Sequence, residues 1–436
     1  MARQRNRDLE TILRGIEQAG NIDSFVNNEL RERGFLVERR ETDGMSAREL
    51  ARYKKELKAE AAERRELRKE AWSAYKTKNV VHLGEGIYWN DADDYDKWDL
   101  ENAESRAAEN ELPALDSPQQ LADALAVPLP MLRWLTYHRD VAEFVHYERF
   151  SIPKRDGSER PIWAPRPKLK QCQRWVLRNV LERLPMHGAA HGFMPARSIR
   201  SNSQPHGDSQ MIVKMDLKEF FPTITQPRVK GVFRKAGYRE QIATLVSLLC
   251  TESPRKVVEE DGKTLFVSLG PRCLPQGAPT SPALTNVICL NLDRRLSGLA
   301  ASLGWRYTRY ADDMTFSLPS GKKKAKDTSP STIIGAVNEI TRTEGFQVHC
   351  KKTRVLRTGT RQTVTGLVVN AQEGPRVSRK VCRMLRAAIH NLSQGKELHD
   401  GETLATLHGY ISFIASCDPA KAEKFRSQLQ EATNSS

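Results

Sequence analysis

The pattern of apolar and charged positions divides the chain into an unusual first part and a more regular remainder. Across 47–78, leucines recur at roughly helical spacing among eleven basic and six acidic side chains, which predicts a long charged helix. The residues after it turn acidic and lose this periodicity. We therefore predict a helical, charged extension over 1–89 and an acidic linker over 90–114. A basic helix is usually a solvated surface, and an RNA contact is the alternative.

Beyond the predicted linker the apolar spacing is typical of a globular body. An extended segment over 150–164 carries a Lys-Arg-Asp-Gly turn at 154–157, as in a β-hairpin. Residues 166–184 show helical spacing again. The pattern predicts a globular body from about residue 115 onward.

Three aspartates stand at the ends of predicted strands. An apolar run places Asp216 at the end of one strand, and the β-rich arms of 305–318 surround Asp312 and Asp313. The second pattern is that of a hairpin with acidic residues at its turn. A lone Asp-Asp pair is weak evidence because Asp is common in turns, and it becomes strong only together with other motifs in order.

Carboxylates that converge in a dry site repel one another unless cations hold them. Two Mg²⁺ ions about 4 Å apart would balance the charge of Asp216, Asp312 and Asp313 and serve in-line phosphoryl transfer. One ion would activate an attacking hydroxyl, and the other would hold a triphosphate and neutralise the leaving pyrophosphate. We expect Mn²⁺ to be able to substitute for Mg²⁺.

Composition favours a nucleic-acid-binding protein in a reducing compartment. The 436-residue chain has a formal net charge of +15, with 69 Lys and Arg against 54 Asp and Glu. This balance favours a polyanionic partner, and a ribosome-associated or merely basic protein is an equal alternative on charge alone. Seven cysteines lie far apart without a CxxC pair, which favours reduced thiols over disulfides or zinc. The N-terminus lacks the apolar run of a signal peptide, and no stretch approaches the roughly 20 apolar residues of a membrane span. We expect a cytoplasmic protein without membrane contact.

Several motifs, in order, resemble those of reverse transcriptases. Tyr310-Ala311-Asp312-Asp313 matches the family's Tyr-x-Asp-Asp box, and Asp216 lies in its first acidic motif. Leu274–Pro282 is similar to the Pro-Gln-Gly motif, and Lys352-Thr353 resembles the lysine-bearing motif of the palm. The resemblance covers roughly 115–436. It implies a right-hand polymerase of the α+β class, in which helices back an antiparallel palm sheet. Fingers and palm would cover 115–370 and an RNA-binding thumb 371–436, preceded by the helical extension.

The resemblance also implies roles at the reaction centre. Asp216 and Asp312 correspond to the principal metal ligands, Asp313 completes the site, and Leu217 is included among the metal-binding residues. Phe221 occupies the position of a steric gate that would collide with a ribose 2′-OH, which implies deoxynucleotide substrates. A buried core phenylalanine is the alternative.

Other residues resemble those that bind the nucleotide in the family. Gln276 should contact the nascent base pair or sugar, and Gly277 allows close approach of the backbone. Lys154 and Arg160 resemble the fingers residues that hold the triphosphate, although both also fit an ordinary basic hairpin. Lys352 would donate a proton to pyrophosphate, and a surface lysine on a turn is the alternative.

Two short segments resemble the retron enzymes within the family. Residues 202–206, Asn-Ser-Gln-Pro-His, are similar to the retron Asn-Ala-x-x-His hallmark, with serine in place of alanine, and 364–366 match its Val-Thr-Gly triplet. A basic stripe on the helix that begins near Ser378 would follow a phosphate backbone, and a solvated amphipathic helix is the alternative. The residues expected to bind RNA are Asn202, His206, Val364, Thr365, Gly366, Arg379, Arg383 and Arg386.

This resemblance implies a specific reaction and specific partners. Retron enzymes recognise a structured noncoding RNA, prime from the 2′-OH of an internal guanosine, and copy part of that RNA into multicopy single-stranded DNA (msDNA) from dNTPs. The product is a 2′,5′-branched RNA–DNA. A host RNase H would trim the template, and an effector protein in anti-phage defence is a further expected partner. The N-terminal extension resembles that of the longer, myxobacterial-type enzymes.

Other classes of protein fit the residues less well. A group II intron or diversity-generating reverse transcriptase is the nearest rival, although no maturase or endonuclease segment is evident beyond the predicted thumb. Phe221 and the Tyr-Ala-Asp-Asp box disfavour a viral RNA-dependent RNA polymerase. A non-catalytic RNA-binding scaffold would have no reason to keep three like charges together.

Overall fold

Runs of helices and runs of antiparallel strands follow one another along the chain, in agreement with the α+β prediction. The computed structural model describes residues 15–32, 42, 44–78, 83–85, 87, 101–153, 157, 159–321, 329–370, 374–399 and 402–434. In chain order the α-helices are α1 (Ile22–Glu32), α2 (Ala47–Lys78), α3 (Ala103–Glu109), α4 (Pro118–Ala124), α5 (Leu129–Thr136), α6 (Pro167–Asn179), α7 (Ile199–Ser203), α8 (Gln226–Ala236), α9 (Glu240–Cys250), α10 (Ser281–Ile288), α11 (Leu290–Leu303), α12 (Pro330–Thr343), α13 (Arg379–Ser393), α14 (Leu404–Ala415) and α15 (Pro419–Asn434). The strands are β1 (Val141–Ala142), β2 (Tyr147–Pro153), β3 (Glu159–Pro165), β4 (Ser209–Asp216), β5 (Arg255–Glu260), β6 (Lys263–Ser268), β7 (Arg306–Tyr310), β8 (Asp313–Pro319), β9 (Arg354–Arg357), β10 (Thr363–Val364) and β11 (Leu367–Val368).

The chain folds as two compact units. One unit consists of Met1–Glu109, Pro113–Ala142 and Phe233–Leu249. The other consists of Asn110–Leu112, Glu143–Val232 and Cys250–Ser436. The second unit contains all of the residues predicted to carry the chemistry.

The first unit contains the long charged helix that the sequence predicts. Helix α2 begins at a capping box, in which the Ser46 N–H donates to Glu49 Oε2 at 2.9 Å and the Glu49 N–H donates to Ser46 Oγ at 3.4 Å. Leu67 on this helix is 58% exposed, because a helix so rich in charge has no continuous apolar face to bury. The apolar core of this unit includes Leu121 and Leu132, which are fully buried.

The second unit is built on a four-stranded sheet with the order β7-β8-β4-β9. Every neighbouring pair in it is antiparallel, which confirms the predicted palm sheet. The central strand β4 buries Ile212, Val213 and Met215, and β8 buries Met314 and Phe316. Because both faces of these strands are covered, the sheet gives a rigid platform to the residues at its ends.

Hairpins and C-terminal helices complete the second unit. Strands β2 and β3, β5 and β6, and β10 and β11 pair as antiparallel hairpins. Helices α13, α14 and α15 share an apolar core that includes Leu385, Ile411 and Phe425. The same core contains Leu367 of β11, so these helices pack against the β10–β11 hairpin. Among the described helices, none is both long and apolar enough to cross a membrane.

Candidate active site

Strand ends bring the predicted carboxylates to one edge of the four-stranded sheet. Asp216 ends β4 and pairs directly with Asp313, the first residue of β8. Tyr310, the last residue of β7, also pairs with Asp313, so Ala311 and Asp312 form a two-residue turn. Ala311 has a φ of 56°, a left-handed conformation that costs a non-glycine residue about 1–2 kcal/mol. The sheet thus places all three aspartates at one edge.

The carboxylates at this edge are poorly solvated and repel one another. Burial, and then the neighbouring Asp216 carboxylate, raises the pKa of Asp312 to about 6. Burial also raises the pKa of Asp313, and Lys214 acts in the opposite direction, with its Nζ 4.0 Å from Asp313 Oδ2. A site that disfavours its own negative charges gains stability from a bound cation.

The donors at this edge are the oxygens that a hard divalent cation prefers. Asp216, Asp312 and Asp313 supply carboxylates, and Leu217, whose apolar side chain is buried, can supply only its backbone carbonyl. Within the described ranges, no three His, Cys, Asp or Glu side chains are close enough together to hold an ion. Instead, Lys352 Nζ donates to Asp216 Oδ1 at 2.9 Å. The residue types therefore fit a divalent ion, although the side chains do not form a closed cage.

A buried arginine supports the carboxylate turn from inside the protein. Arg309 of β7 and Asp293 of α11 are 0% exposed, and Nε and Nη2 of the arginine donate to Asp293 Oδ1 and Oδ2 at 2.8 and 2.7 Å. Arg309 Nη1 donates to the Ala311 carbonyl at 2.9 Å, and Nη2 also donates to Asn286 Oδ1 at 3.1 Å. Because a guanidinium is planar and rigid, these bonds fix the backbone just before Asp312.

The chain before α7 packs directly against the same turn. The His191 N–H donates to the Arg309 carbonyl at 2.8 Å, and Asn286 Nδ2 donates to the Gly192 carbonyl at 2.8 Å. A Cβ atom on Gly192 would lie 2.7 Å from the Ala311 nitrogen, closer than carbon and nitrogen can approach. Only glycine allows this contact, so this segment forms one wall of the turn.

The predicted Gln-Gly motif is joined to the β2–β3 hairpin. The Trp163 N–H of β3 donates to the Gln276 carbonyl at 2.7 Å. Gly277 has a φ of 122°, and a Cβ there would lie 2.7 Å from the Trp163 carbonyl oxygen. Arg160 is exposed on the same strand, whereas Lys154 lies outside the described residues. A close backbone contact within the protein therefore requires glycine at this position, and its contact with a nucleotide stays a prediction.

Two adjacent phenylalanines, Phe220 and Phe221, differ in burial. Phe220 is 3% exposed, and its ring centroid lies 5.6 Å from that of Phe346. Phe221 is half-buried and meets Phe220 edge to face at 5.7 Å. Since Phe220 fills the core position, the alternative interpretation of Phe221 as a buried core residue is disfavoured.

The two retron-like segments contact each other and the strands behind the turn. His206 Nδ1 and Nε2 lie 2.7 Å from Ser317 Oγ of β8 and Thr308 Oγ1 of β7. Burial lowers the pKa of His206 to about 3, so its ring is neutral at pH 7 and bridges the two hydroxyls. Asn202 Nδ2 lies 3.5 Å from Thr365 Oγ1. The segments therefore connect the carboxylate-bearing hairpin to the β10–β11 hairpin.

Comparison with known proteins agrees with this geometry. The family model described as reverse transcriptase (RNA-dependent DNA polymerase) matches residues 152–384. The chain belongs to the reverse transcriptase family. It is 49% identical to the retron Mx162 reverse transcriptase of Myxococcus xanthus, over 96% of this chain and 88% of that protein. The retron Mx65 enzyme of the same organism is 39% identical over 75% and 74% of the two chains, and the retron Ec86 enzyme of Escherichia coli is 34% identical over 70% and 86%.

These similarities confirm the coarse predictions from the sequence. The protein is an RNA-directed DNA polymerase of the retron type, with the fold class predicted for it. Its substrates are dNTPs and a retron RNA template, and its family uses divalent metal ions. The roles assigned to individual residues stay predictions.

The structure corrects part of the RNA-binding prediction for the reverse transcriptase. Asn202, His206 and Val364 are fully buried, which argues against the direct RNA contact predicted for their side chains and gives them a packing role. The side-chain hydrogen-bond partners of Asn202 and His206 are distant in sequence, so a short motif cannot reveal this burial. Thr365 is half-buried and Gly366 is exposed, and an RNA contact by these two residues stays a prediction.

The basic stripe of the reverse transcriptase lies on the surface of α13. Arg379, Arg383 and Arg386 are all exposed, while Leu385 on the other face is buried. The Arg386 guanidinium also lies over the Phe425 ring, 5.9 Å from its centroid. The stripe is therefore accessible to RNA, and the contact itself stays a prediction.

Sequence reasoning missed the buried pair Arg309 and Asp293. The available signal was an arginine inside a strand-like run, directly before the Tyr-Ala-Asp-Asp box. Its partner lies 16 residues earlier on a helix. Neither helical nor strand periodicity reports such a contact, so the pair required a structure.

Proposed function

We propose that this reverse transcriptase copies part of its cognate structured noncoding RNA into msDNA, starting from the 2′-OH of an internal guanosine. The hydroxyl oxygen would attack the α-phosphorus of the first dNTP, pyrophosphate would leave, and the hydroxyl proton would be released. The product is a 2′,5′-branched RNA–DNA. The observation that carries the proposal is the contact between segments 202–206 and 364–366 behind an intact carboxylate trio. Similarity to a retron reverse transcriptase over 96% of the chain supports it.

We assign metal binding to Asp216, Asp312, Asp313 and the Leu217 carbonyl, with two Mg²⁺ ions as the cofactor and Mn²⁺ as a substitute. When bound, such ions activate a hydroxyl and neutralise triphosphate and pyrophosphate charge. The contact of Lys352 with Asp216, at 2.9 Å, supports this lysine as a proton donor beside the leaving pyrophosphate. Its side chain is 57% exposed, so it can turn toward a bound nucleotide.

Nucleotide binding is assigned to residues around the β2–β3 hairpin and the start of α8. Phe221 would exclude a ribose 2′-OH, which its half-buried position supports. Gln276 and Gly277 would lie under the incoming nucleotide, and Lys154 and Arg160 would hold its triphosphate. The exposure of Arg160 on β3 leaves its guanidinium free to form paired hydrogen bonds to phosphate oxygens.

RNA recognition is assigned to Thr365, Gly366 and the arginine stripe on α13. The exposed guanidinium groups suit a phosphate backbone, and binding would then weaken as salt is raised. We divide the chain by function into a helical extension, an acidic linker, fingers with palm, and an RNA-binding thumb, over 1–89, 90–114, 115–370 and 371–436.

The proposed setting is the cytoplasm, where a host RNase H would trim the copied template. We further propose that the RNA–DNA product and an effector protein act together in anti-phage defence. The resemblance of the motifs to retron enzymes supports both proposals.

The proposal is tested by expressing the gene with its flanking DNA and examining total nucleic acid for a short branched DNA. The control is the double variant Asp312→Asn and Asp313→Asn, which keeps side-chain shape and removes charge. We expect a discrete DNA in the parent alone, with an RNA remnant that only a 2′,5′-debranching enzyme releases. A linear product, or one made only from supplied primers, would move the protein to another class of reverse transcriptase. No DNA from either form would support the scaffold alternative.

A further inference from the structure

Lys214 and Arg354 face each other on the carboxylate-bearing side of the sheet. They are direct cross-strand partners in the antiparallel pair of β4 and β9. Side chains two residues apart on a strand share a face, so Lys214 and Asp216 point to the same side, about 7 Å apart along β4. The pairing of β4 with β8 and β9 shows no register shift between Met211 and Asp216. Lys214 and Arg354 therefore lie on the same face of the sheet as Asp216, with Lys214 two residues before it along β4.

This arrangement is unfavourable in the protein alone. Like charges directly opposite each other on a sheet destabilise it. Lys214 has only a 4.0 Å contact with Asp313, and the exposed side chain of Arg354 has no carboxylate partner in the part of the chain that the structure describes. The sequence from 345 to 370 contains five basic residues and no Asp or Glu. A ligand with negative charge would remove the repulsion.

Charge on an edge strand also has a simpler explanation, because it prevents unwanted pairing with other chains. That explanation covers the arginines of β9, which is the edge strand. It does not cover Lys214, because β4 is flanked by β8 and β9 and has no free edge. The facing pair thus points to a ligand and not only to protection of the edge.

The identity of the ligand follows from the chemistry of the proposed priming, on which this inference rests. A primer that ends in a 3′-OH has no phosphate beyond its reacting nucleotide. An internal guanosine that reacts through its 2′-OH keeps a phosphodiester on the adjacent 3′-oxygen. That phosphodiester brings an additional negative charge next to three carboxylates, so branched priming requires positive charge that ordinary primer extension does not.

We propose that Lys214 and Arg354 form a binding site for the phosphodiester on the 3′ side of the priming guanosine. The guanidinium of Arg354 can donate paired hydrogen bonds to two phosphate oxygens. The ammonium of Lys214 lies between that site and the carboxylates, and it reduces repulsion between the phosphodiester and Asp313. The pair thus favours an internal nucleotide over a free 3′ end as the primer.

The test compares two reactions of the same full-length enzyme on the same cognate RNA. One is branched initiation from the internal guanosine, and the other is extension of an annealed DNA primer with a free 3′-OH. Arg354→Gln should lower the ratio of the first rate to the second by about tenfold, as expected for the loss of one charged hydrogen-bonding partner. Arg354→Lys keeps the positive charge but not the paired hydrogen bonds, so it should restore only part of that ratio.

Arg357→Gln is the matched control. Arg357 is an exposed arginine on the same strand, and it pairs with Met211, so its side chain lies on the opposite face from Arg354. This variant should keep the parent ratio. Thermal melting of each variant checks folding, and we expect Arg354→Gln to melt no lower than the parent because it removes a like-charge contact.

Each outcome decides the question. An unchanged ratio in Arg354→Gln overturns the proposal, whether both rates are kept or both fall equally, because an equal fall indicates an ordinary primer contact. An equal loss of the ratio in Arg357→Gln overturns it as well, since the effect would be one of general charge. Failure of the proposed function is distinguishable, because the parent enzyme itself would then give no branched product.

Discussion

Replacing Asp312 by asparagine should stabilise the metal-free enzyme, although it removes a predicted metal ligand. Burial and the nearby Asp216 raise the pKa of Asp312 from its ordinary value of 3.8 to about 6. This rise corresponds to roughly 3 kcal/mol at neutral pH, since one pKa unit is equivalent to about 1.4 kcal/mol. Asparagine has the same shape without the charge. Asp312→Asn should therefore raise the free energy of unfolding by about 1–3 kcal/mol at pH 7 in EDTA.

The pH dependence of stability follows from the direction of this pKa shift. A carboxyl group with a higher pKa in the folded state binds protons more tightly when the protein is folded, so the parent gains stability as the pH falls. The destabilisation is fully present above the folded pKa of about 6 and disappears below the unfolded value of 3.8. The advantage of Asp312→Asn over the parent should shrink between pH 7 and pH 5.

A second aspartate gives a matched control, for which we expect a change in stability of the opposite sign. Asp293→Asn also keeps side-chain shape, but it leaves Arg309 fully buried without its ionic partner, which should lower stability by about 3–5 kcal/mol. Urea unfolding of both variants and the parent, in EDTA at pH 7 and pH 5, measures these differences. A loss of stability in Asp312→Asn at pH 7 would refute the reasoning, because it would mean that the folded protein solvates this carboxylate well. Added Mg²⁺ should stabilise the parent more than Asp312→Asn, since only the parent keeps the full set of ligands.

Three further predictions concern the nucleotide and the RNA. Gly277→Ala should lower both stability and dNTP incorporation, because its Cβ would lie 2.7 Å from the Trp163 carbonyl oxygen. Urea unfolding measures the stability, and kcat/KM measures the incorporation. The control, Gly298→Ala, lies on a helix with open space around it and should instead stabilise the protein by about 0.5–1 kcal/mol. Phe221→Ala should increase ribonucleotide incorporation in a competition assay by about tenfold or more. The control, Phe220→Ala, should chiefly destabilise the core, by about 3–5 kcal/mol. Unchanged sugar selectivity in Phe221→Ala would contradict the steric gate. Replacement of Arg379, Arg383 and Arg386 by glutamine should reduce the slope of log K against log salt for RNA binding by about one per arginine. An unchanged slope would show that RNA does not contact these three residues.

Local rules placed three carboxylates at strand ends in the sequence, and the order of the family motifs made them a predicted reaction centre. A strand that ends in Asp216 and a hairpin that turns at Asp312 are patterns within a few neighbouring residues, and the alternation of the strands then fixes which side chains meet. The role predicted for Gly277 came from the family resemblance, and the φ of 122° that favours glycine there is known only from the structure. The sheet order could not be read from these segments, and it came from the family resemblance.

Burial of polar residues was the feature that the sequence concealed. His206 occupies a motif that suggested RNA contact, but its ring is held between Thr308 and Ser317, more than 100 residues away. Arg309 is likewise an unremarkable basic residue in the sequence, and its role depends on Asp293 of a neighbouring helix. Polar side chains show no periodic signal of burial, because they can be buried only where specific partners satisfy them. Those partners are known only once the fold is known.

Three locally unfavourable features of the sheet lie at or near the turn that carries Asp312. Ala311 has a left-handed backbone, Asp312 ionises against the charge of Asp216, and Lys214 faces Arg354. Each would be selected against if stability alone mattered, and such violations are expected at functional sites. They can persist because rigid contacts around the turn hold it in place, above all the four hydrogen bonds that Arg309 donates to Asp293, Asn286 and the Ala311 carbonyl. Without the hydrogen bonds from Arg309, the strained residues of the turn would relax. A substitution of Arg309 that lowers activity should therefore also change the Mg²⁺ concentration needed for half-maximal rate.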